Sequence, residues 1–169
     1  SRYNYSQEFI DVGYKELTIP ANEDGTHKLD KNSFHIRPRG EFMLIAMPNI
    51  DGSFTCTLFL PFEGKVSFES LQTEEQAREF FKTYFPNVRK VIEDLTKDFF
   101  NNPTSAMVTM KCYPWTYWDK VALVGDSAHA IVPFYGQGMN AGFEDIYVLD
   151  QLMRQYGDDW ETIFSTYQE

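Results

Sequence analysis

The sequence predicts a mixed α/β fold: an antiparallel sheet with covering helices, then a strand, a glycine-rich loop and a long helix. Three observations carry that reading. Short apolar segments separated by turn residues crowd the first part of the chain, at Tyr14 to Ile19, Phe42 to Met47 and Phe54 to Leu60. Two helical stripes follow, Ala77, Phe80, Phe81, Tyr84 and Phe85, then Val88, Val91, Ile92, Leu95 and Phe99. Last, the apolar run Val121 to Val124 leads through Gly125-Asp126 and Gly136-Gln137-Gly138 into a third helical pattern.

Each element has its own local reason. Tyr14 to Ile19 alternates polar and apolar residues and stops at Pro20, and Asn22-Glu23-Asp24-Gly25 is a turn cluster. Phe34 to Arg37 and Phe42 to Met47 are short strands around Pro38-Arg39-Gly40, and Asp51-Gly52 ties a hairpin into Phe54 to Leu60. Thr73-Glu74-Glu75-Gln76 has the pattern of a capping box, Pro86 ends the first helix, and Asn87 is expected to cap the second. Ala106 to Lys111 returns as strand, and Tyr113 to Lys120 is an aromatic-rich crossing between domains, which sets expected boundaries at 1–112 and 113–169. Val121 to Val124 is expected to be a fully buried strand, apolar on both faces as parallel strands are. The long helix begins near Gly138, is lined by Ala141, Ile146, Leu149, Leu152 and Met153, and ends at Gly157.

Composition narrows the function. The chain has 169 residues, 43% hydrophobic and 17% aromatic, enough for a core without metals or disulfides. A net charge of −10 argues against nucleic acid and against an anionic membrane surface as partners. Cys56 and Cys112 lie far apart in apolar runs and are expected to be buried free thiols in a reducing compartment. No signal peptide is visible, and no apolar run approaches the roughly 18 residues of a membrane span.

The stretch from Gly125 to Asn140 carries the chemistry. An acidic side chain at the end of an apolar strand suits sugar-type hydroxyls, with a turn or cap aspartate as the alternative for Asp126. Gly136 and Gly138 let a ligand approach the backbone, and the helix that follows turns free N–H groups and its positive end toward it. His129 reads as a residue that orients the loop rather than as a base. Leu17, Ile19, Phe34, Ile36, Met47 and Pro48 are sheet core or pocket lining; Arg37 and Arg39 are read as surface charge, with a carboxylate partner as the alternative; the helical aromatics are core.

The run Gly125-Asp126-Ser127-Ala128-His129, Pro133, Gly136-Gln137-Gly138-Met139-Asn140 resembles the second flavin-binding motif of the FAD-dependent aromatic hydroxylases at every fixed position. Asn4 to Gln7, Gly13 to Pro20, Met47-Pro48-Asn49, Ser53 to Phe59 and Gly138 to Asp145 are similar to the branch of that family that hydroxylates L-kynurenine. The resemblance implies that Gly125, Asp126, Pro133, Gly136, Gln137, Gly138, Met139 and Asn140 hold FAD. It implies that Pro133, Phe134 and Tyr135, with Leu17, Ile19, Ile36, Met47 and Pro48, border the substrate. It implies a parent enzyme that uses NADPH and O2 to make 3-hydroxykynurenine through a flavin C4a-hydroperoxide. It implies a substrate-domain sheet followed by the strand and helix of a Rossmann-like FAD-binding domain. It also implies a cytoplasmic location, or the mitochondrial outer membrane for a eukaryotic parent with a further C-terminal segment. The family's Gly-x-Gly-x-x-Gly turn is absent from these residues. The chain is therefore expected to be an internal piece, inactive alone, whose partner is the N-terminal portion of the same enzyme. Another aromatic substrate, or a non-catalytic module that retains the motif, stays open at this point.

Overall fold

The computed structural model describes residues 3–169, apart from the side chains of Arg89 and Ile92. The expected place of Ile92 on the second helical stripe lies outside that description. The strands are β1 (Asn4–Ile19), β2 (His35–Arg39), β3 (Phe42–Pro48) and β4 (Phe54–Pro61). Helices α1 (Glu74–Tyr84) and α2 (Ile92–Asn101) follow, then β5 (Ser105–Tyr113), β6 (Thr116–Tyr117) and β7 (Val121–Ala122). The chain closes with α3 (Asp126–His129), α4 (Gly138–Tyr156) and α5 (Trp160–Tyr167). The fold is mixed α/β, as the sequence predicts. It divides into two compact units, Asp11–Ala106, and 3–10 together with Met107–Glu169.

In the first of these units the sheet runs β2-β3-β4-β1, antiparallel throughout. The register places Leu17 opposite Cys56 and Ile19 opposite Phe54, and carries Leu44, Ala46 and Leu58 on the same face. That face buries against Ala77, Phe80, Phe81, Phe85, Val88, Val91, Leu95 and Phe99. Full burial of one Leu or Phe side chain contributes about 1.5–3 kcal/mol, so this cluster holds the unit without cross-links. Thr73 caps α1: its hydroxyl accepts from the Gln76 N–H, and the Gln76 side chain accepts from the Thr73 N–H. Pro86 ends α1, but Asn87 caps nothing. A 3-10 stretch, Pro86–Val91, intervenes before α2.

Three basic side chains of this unit are drawn in from solvent. Lys15 is buried on the core face, where Nζ donates to the carbonyls of Phe99 (2.6 Å) and Asn102 (3.0 Å) at the end of α2. The ammonium also stands 4.6 Å from the Phe99 ring centroid. Burial pushes its pKa below the ordinary lysine value. Arg39 is not loose surface charge: Nε donates to the Tyr84 carbonyl at 2.6 Å, and the guanidinium lies over Phe85. Arg37 is half-buried with one terminal nitrogen unpaired.

The second unit differs more. Val121 to Val124 is not a buried parallel strand. Only Val121–Ala122 is extended, in a two-residue antiparallel pair with Thr116–Tyr117, and Val121 is half exposed. Among the described residues no layer covers it on both sides, so its apolar character alone was misleading. The helix α4 likewise has no buried residue: Phe143 (65%), Ile146 (52%) and Tyr147 (65%) are exposed. The short helix α5 was not anticipated. Asp159 caps it by accepting from the Thr162 N–H, and it supplies buried Ile163 and Tyr167. No helix of the described residues is long and apolar enough to cross a membrane.

Candidate functional site

Gly125 turns the chain with φ 59° and ψ −141°, a conformation that a side chain would strain. Its carbonyl accepts from the N–H groups of Ala128 (2.9 Å) and His129 (3.0 Å), which closes the single turn of α3. Asp126 is therefore the first residue of a one-turn helix and does not follow a buried strand. The segment is tied down on both sides. Met110 N–H donates to the Ala130 carbonyl (2.9 Å), Leu123 N–H to the Trp115 carbonyl (2.8 Å), and the Tyr167 hydroxyl to the Leu123 carbonyl (3.1 Å). Cys112, only half-buried, donates its thiol to the Ala128 carbonyl at 3.1 Å. Cys56, in the sheet core, is fully buried, which pushes its thiol up to about 12.

The loop then rises through Pro133–Tyr135, a 3-10 turn ended by Gly136 at φ 63°. Gln137 stands at the head of α4 without capping it. Its side chain instead donates to the Tyr135 carbonyl (3.0 Å) and accepts from the Asn140 amide (2.9 Å). The first N–H groups of α4, at Gly138, Met139 and Asn140, have no acceptor within the helix. Asp126 lies beside that helix start: a Cβ built on Gly138 would stand 3.8 Å from Asp126 Oδ1. The carboxylate is exposed, and no hydrogen bond or ion pair among the described residues engages it. Gly125, Asp126, Pro133, Phe134, Tyr135, Gly136, Gln137, Gly138, Met139 and Asn140 thus line one continuous turn-and-helix start. Its carboxylate and its row of N–H groups are open to a ligand.

The sheet residues fall into two sets. Leu17 and Ile19 are fully buried beneath α1 and α2, and Pro48 shares their side of the sheet, so these three belong to the core side rather than to a pocket wall. Ile36 (51% exposed) and Met47 (43% exposed) are on the opposite face, because Ile36 pairs with Ile45, two residues before Met47.

His129 has the orienting role that its place in the loop suggests. Nε2 lies 2.9 Å from Asp145 Oδ2 and 3.0 Å from Oδ1. Because a carboxylate only accepts, Nε2 carries the proton. The ring packs 5.2 Å from Trp115, centroid to centroid. The partner, Asp145, comes from the second turn of α4. Nothing in local spacing announces this pair, since the two residues are brought together only by the fold.

A family model described as FAD binding domain matches residues 26–168. Over 168 residues, 99% of this chain and 38% of the relative, the sequence is 71% identical to the kynurenine 3-monooxygenase of Christiangramia forsetii. Over 145 residues it is 61% identical to the kynurenine 3-monooxygenase of Dictyostelium discoideum, covering 86% of this chain and 32% of that one. The chain thus spans less than two fifths of the length of the curated relatives it matches. Among solved structures, a tetrameric 2-methyl-3-hydroxypyridine-5-carboxylic acid oxygenase superposes with TM-score 0.73 at 20% identity, over 98% of this chain and 43% of that one. Klebsiella pneumoniae HpxO, complexed with FAD and uric acid, superposes with TM-score 0.70 at 20% identity, over 98% of this chain and 41% of that one. At that identity the likeness is one of fold.

Proposed function

Because the chain belongs to the FAD binding domain family, we propose that it is the inner part of an FAD-dependent monooxygenase and that residues 125–140 hold the flavin. The observation that carries this is the unpartnered Asp126 carboxylate beside the uncapped start of α4. The residues fit the cofactor. A lone exposed carboxylate accepts from sugar hydroxyls such as those of the ribityl chain. The glycines at 136 and 138 leave space for a flat ring against the backbone. The free N–H groups and positive end of α4 favour negative charge on a reduced ring. When bound, FAD supplies the redox chemistry: it takes reducing equivalents from NADPH and activates O2.

The names of the relatives point to L-kynurenine as substrate and 3-hydroxykynurenine as product. On this reading Pro133, Phe134 and Tyr135 border the reaction chamber and exclude water; of the sheet residues considered for a substrate, Ile36 and Met47 are exposed on the face away from the helices. The unit built on β1 to β4 serves the substrate, and the unit of α3 to α5 serves the flavin. Because the chain spans 38% of its relative, the remainder of such a protein would supply further FAD contacts and a cover for the exposed apolar side chains of α4.

The test is Asp126→Ala in the full-length protein. Loss of a charge-assisted hydrogen bond, about 1.5–3 kcal/mol, weakens FAD binding roughly tenfold to more than a hundredfold. The variant is expected to lose its yellow colour on desalting and to keep its preference for L-kynurenine when FAD is saturating. Full flavin occupancy with an altered substrate preference would overturn the assignment.

A further inference from the structure

Asp145 holds two parts of the flavin loop at once. Its side chain is 12% exposed and sits on α4. Oδ2 accepts from the Gly125 N–H at 2.6 Å, and both oxygens face His129 Nε2 at 2.9 and 3.0 Å. These are the residues that flank Asp126 at the beginning and the end of its helical turn. A second contact repeats the arrangement without polar groups. Gly142, on the same face of α4, is so close to Gly125 that a Cβ added to it would stand 3.6 Å from Gly125 Cα. The turn that presents Asp126 is therefore pressed against α4 by a pair of glycines and locked by one carboxylate.

We infer that Asp145 is a positioning residue: it fixes the Gly125–His129 turn on α4 so that the Asp126 carboxylate stands beside the helix start. Asp145 does not touch the cofactor; it acts through Asp126. An ionised carboxylate suits the task because it accepts from two donors that approach from different directions. With Asp145 removed, the Gly125 N–H and the His129 ring lose their shared acceptor. The turn then keeps its ties to Met110, Cys112, Trp115 and Tyr167 but loses its polar tie to α4, so Asp126 can shift relative to Gly138.

This rests on the flavin reading above, and a double-mutant cycle separates the two. Flavin-free full-length protein carrying Asp126→Ala, Asp145→Ala or both is titrated with FAD, with quenching of flavin fluorescence as the readout. Asp145→Ala alone is expected to weaken FAD about tenfold or more, and to change the visible circular dichroism of bound flavin. In the Asp126→Ala background the same change is expected to add less than about threefold, since residues in one network are not additive. Equal loss in both backgrounds would show that Asp145 merely supports the helix, and would overturn the inference while leaving the flavin site intact. If Asp126→Ala leaves FAD affinity untouched, the flavin reading itself fails and the inference with it. Should the alanine variant not fold, Asp145→Asn keeps an acceptor for the Gly125 N–H and carries the same cycle. Its smaller loss must also vanish when Asp126 is absent.

Discussion

Replacing Gly138 with alanine separates a glycine kept for a ligand from a glycine kept for the backbone. Gly138 is the first residue of α4 and is not among the glycines with positive φ. The nearest atom to an added Cβ is Asp126 Oδ1 at 3.8 Å, an ordinary van der Waals contact. The protein on its own therefore has no objection to alanine. A compatible Gly→Ala change stabilises by about 0.4–1 kcal/mol, chiefly by restricting the unfolded chain. The ligand is a different matter. A methyl group would occupy the space where a flat ring meets the backbone, and would lift that ring from the first N–H groups of α4. Losing one such bond to a charged group costs about 1.5–3 kcal/mol, or roughly tenfold to more than a hundredfold in affinity. Gly138→Ala is thus expected to unfold in urea at the same or slightly higher concentration than the parent, yet to bind FAD at least tenfold more weakly. The assays are a denaturant titration of the flavin-free full-length protein and an FAD titration by fluorescence. FAD affinity within about twofold of the parent, with the stability gain present, would show that no ring rests on Gly138 and would refute the site geometry.

Two further outcomes follow from buried groups. Lys15→Met keeps an apolar stem but removes the donor to the Phe99 carbonyl. An orphaned buried carbonyl costs about 1–3 kcal/mol. The melting temperature of the chain should therefore fall by several degrees, at about 2–4 °C per kcal/mol for a protein of this size; an unchanged or higher value would mean that relief of the buried charge outweighs the lost bonds. Tyr167 is pushed up to about 12, first by burial and then by the Asp145 charge. The unfolded chain releases this proton near the ordinary tyrosine value of about 10. Its contribution is therefore complete below that pH and is lost as pH rises toward 12. Tyr167→Phe should flatten the alkaline decline measured by urea unfolding between these limits, and an identical slope would exclude Tyr167 as its source.

Local chemistry was legible and long-range pairing was not. The hairpin at Asp51-Gly52 could be read because its determinants are adjacent: Gly52 has φ 88°, and Asp51 accepts from the Ser53 N–H at 3.0 Å. The capping box at Thr73 and the aromatic stripe of α1 were legible for the same reason. Val121 to Val124 misled because an apolar run signals burial without saying what buries it. Leu17 and Ile19 read equally as core or pocket, since alternation along a strand separates two faces but does not label them. Register and the covering helices did so. The acidic–glycine motif at Gly125-Asp126 could be read from spacing. The clamp from Asp145 could not, because it spans a loop, a 3-10 turn and a helix start.

The two units differ in how much apolar surface they enclose, and that difference sets where ligand-linked stability goes. The sheet unit has a dense aromatic and aliphatic interior, whereas the unit of α4 encloses little more than Met107, Ala128, Ile163 and Tyr167. In the 169-residue chain on its own, its amides are the first expected to exchange with solvent, since opening free energy follows buried contact. A ligand that binds only the folded form adds about 2.7 kcal/mol at a hundred times its dissociation constant. Flavin held at residues 125–140 would deliver that increment to the unit of α4. In such a protein the cofactor is also a structural member, and slowed amide exchange in α4 would record its arrival before any turnover is measured.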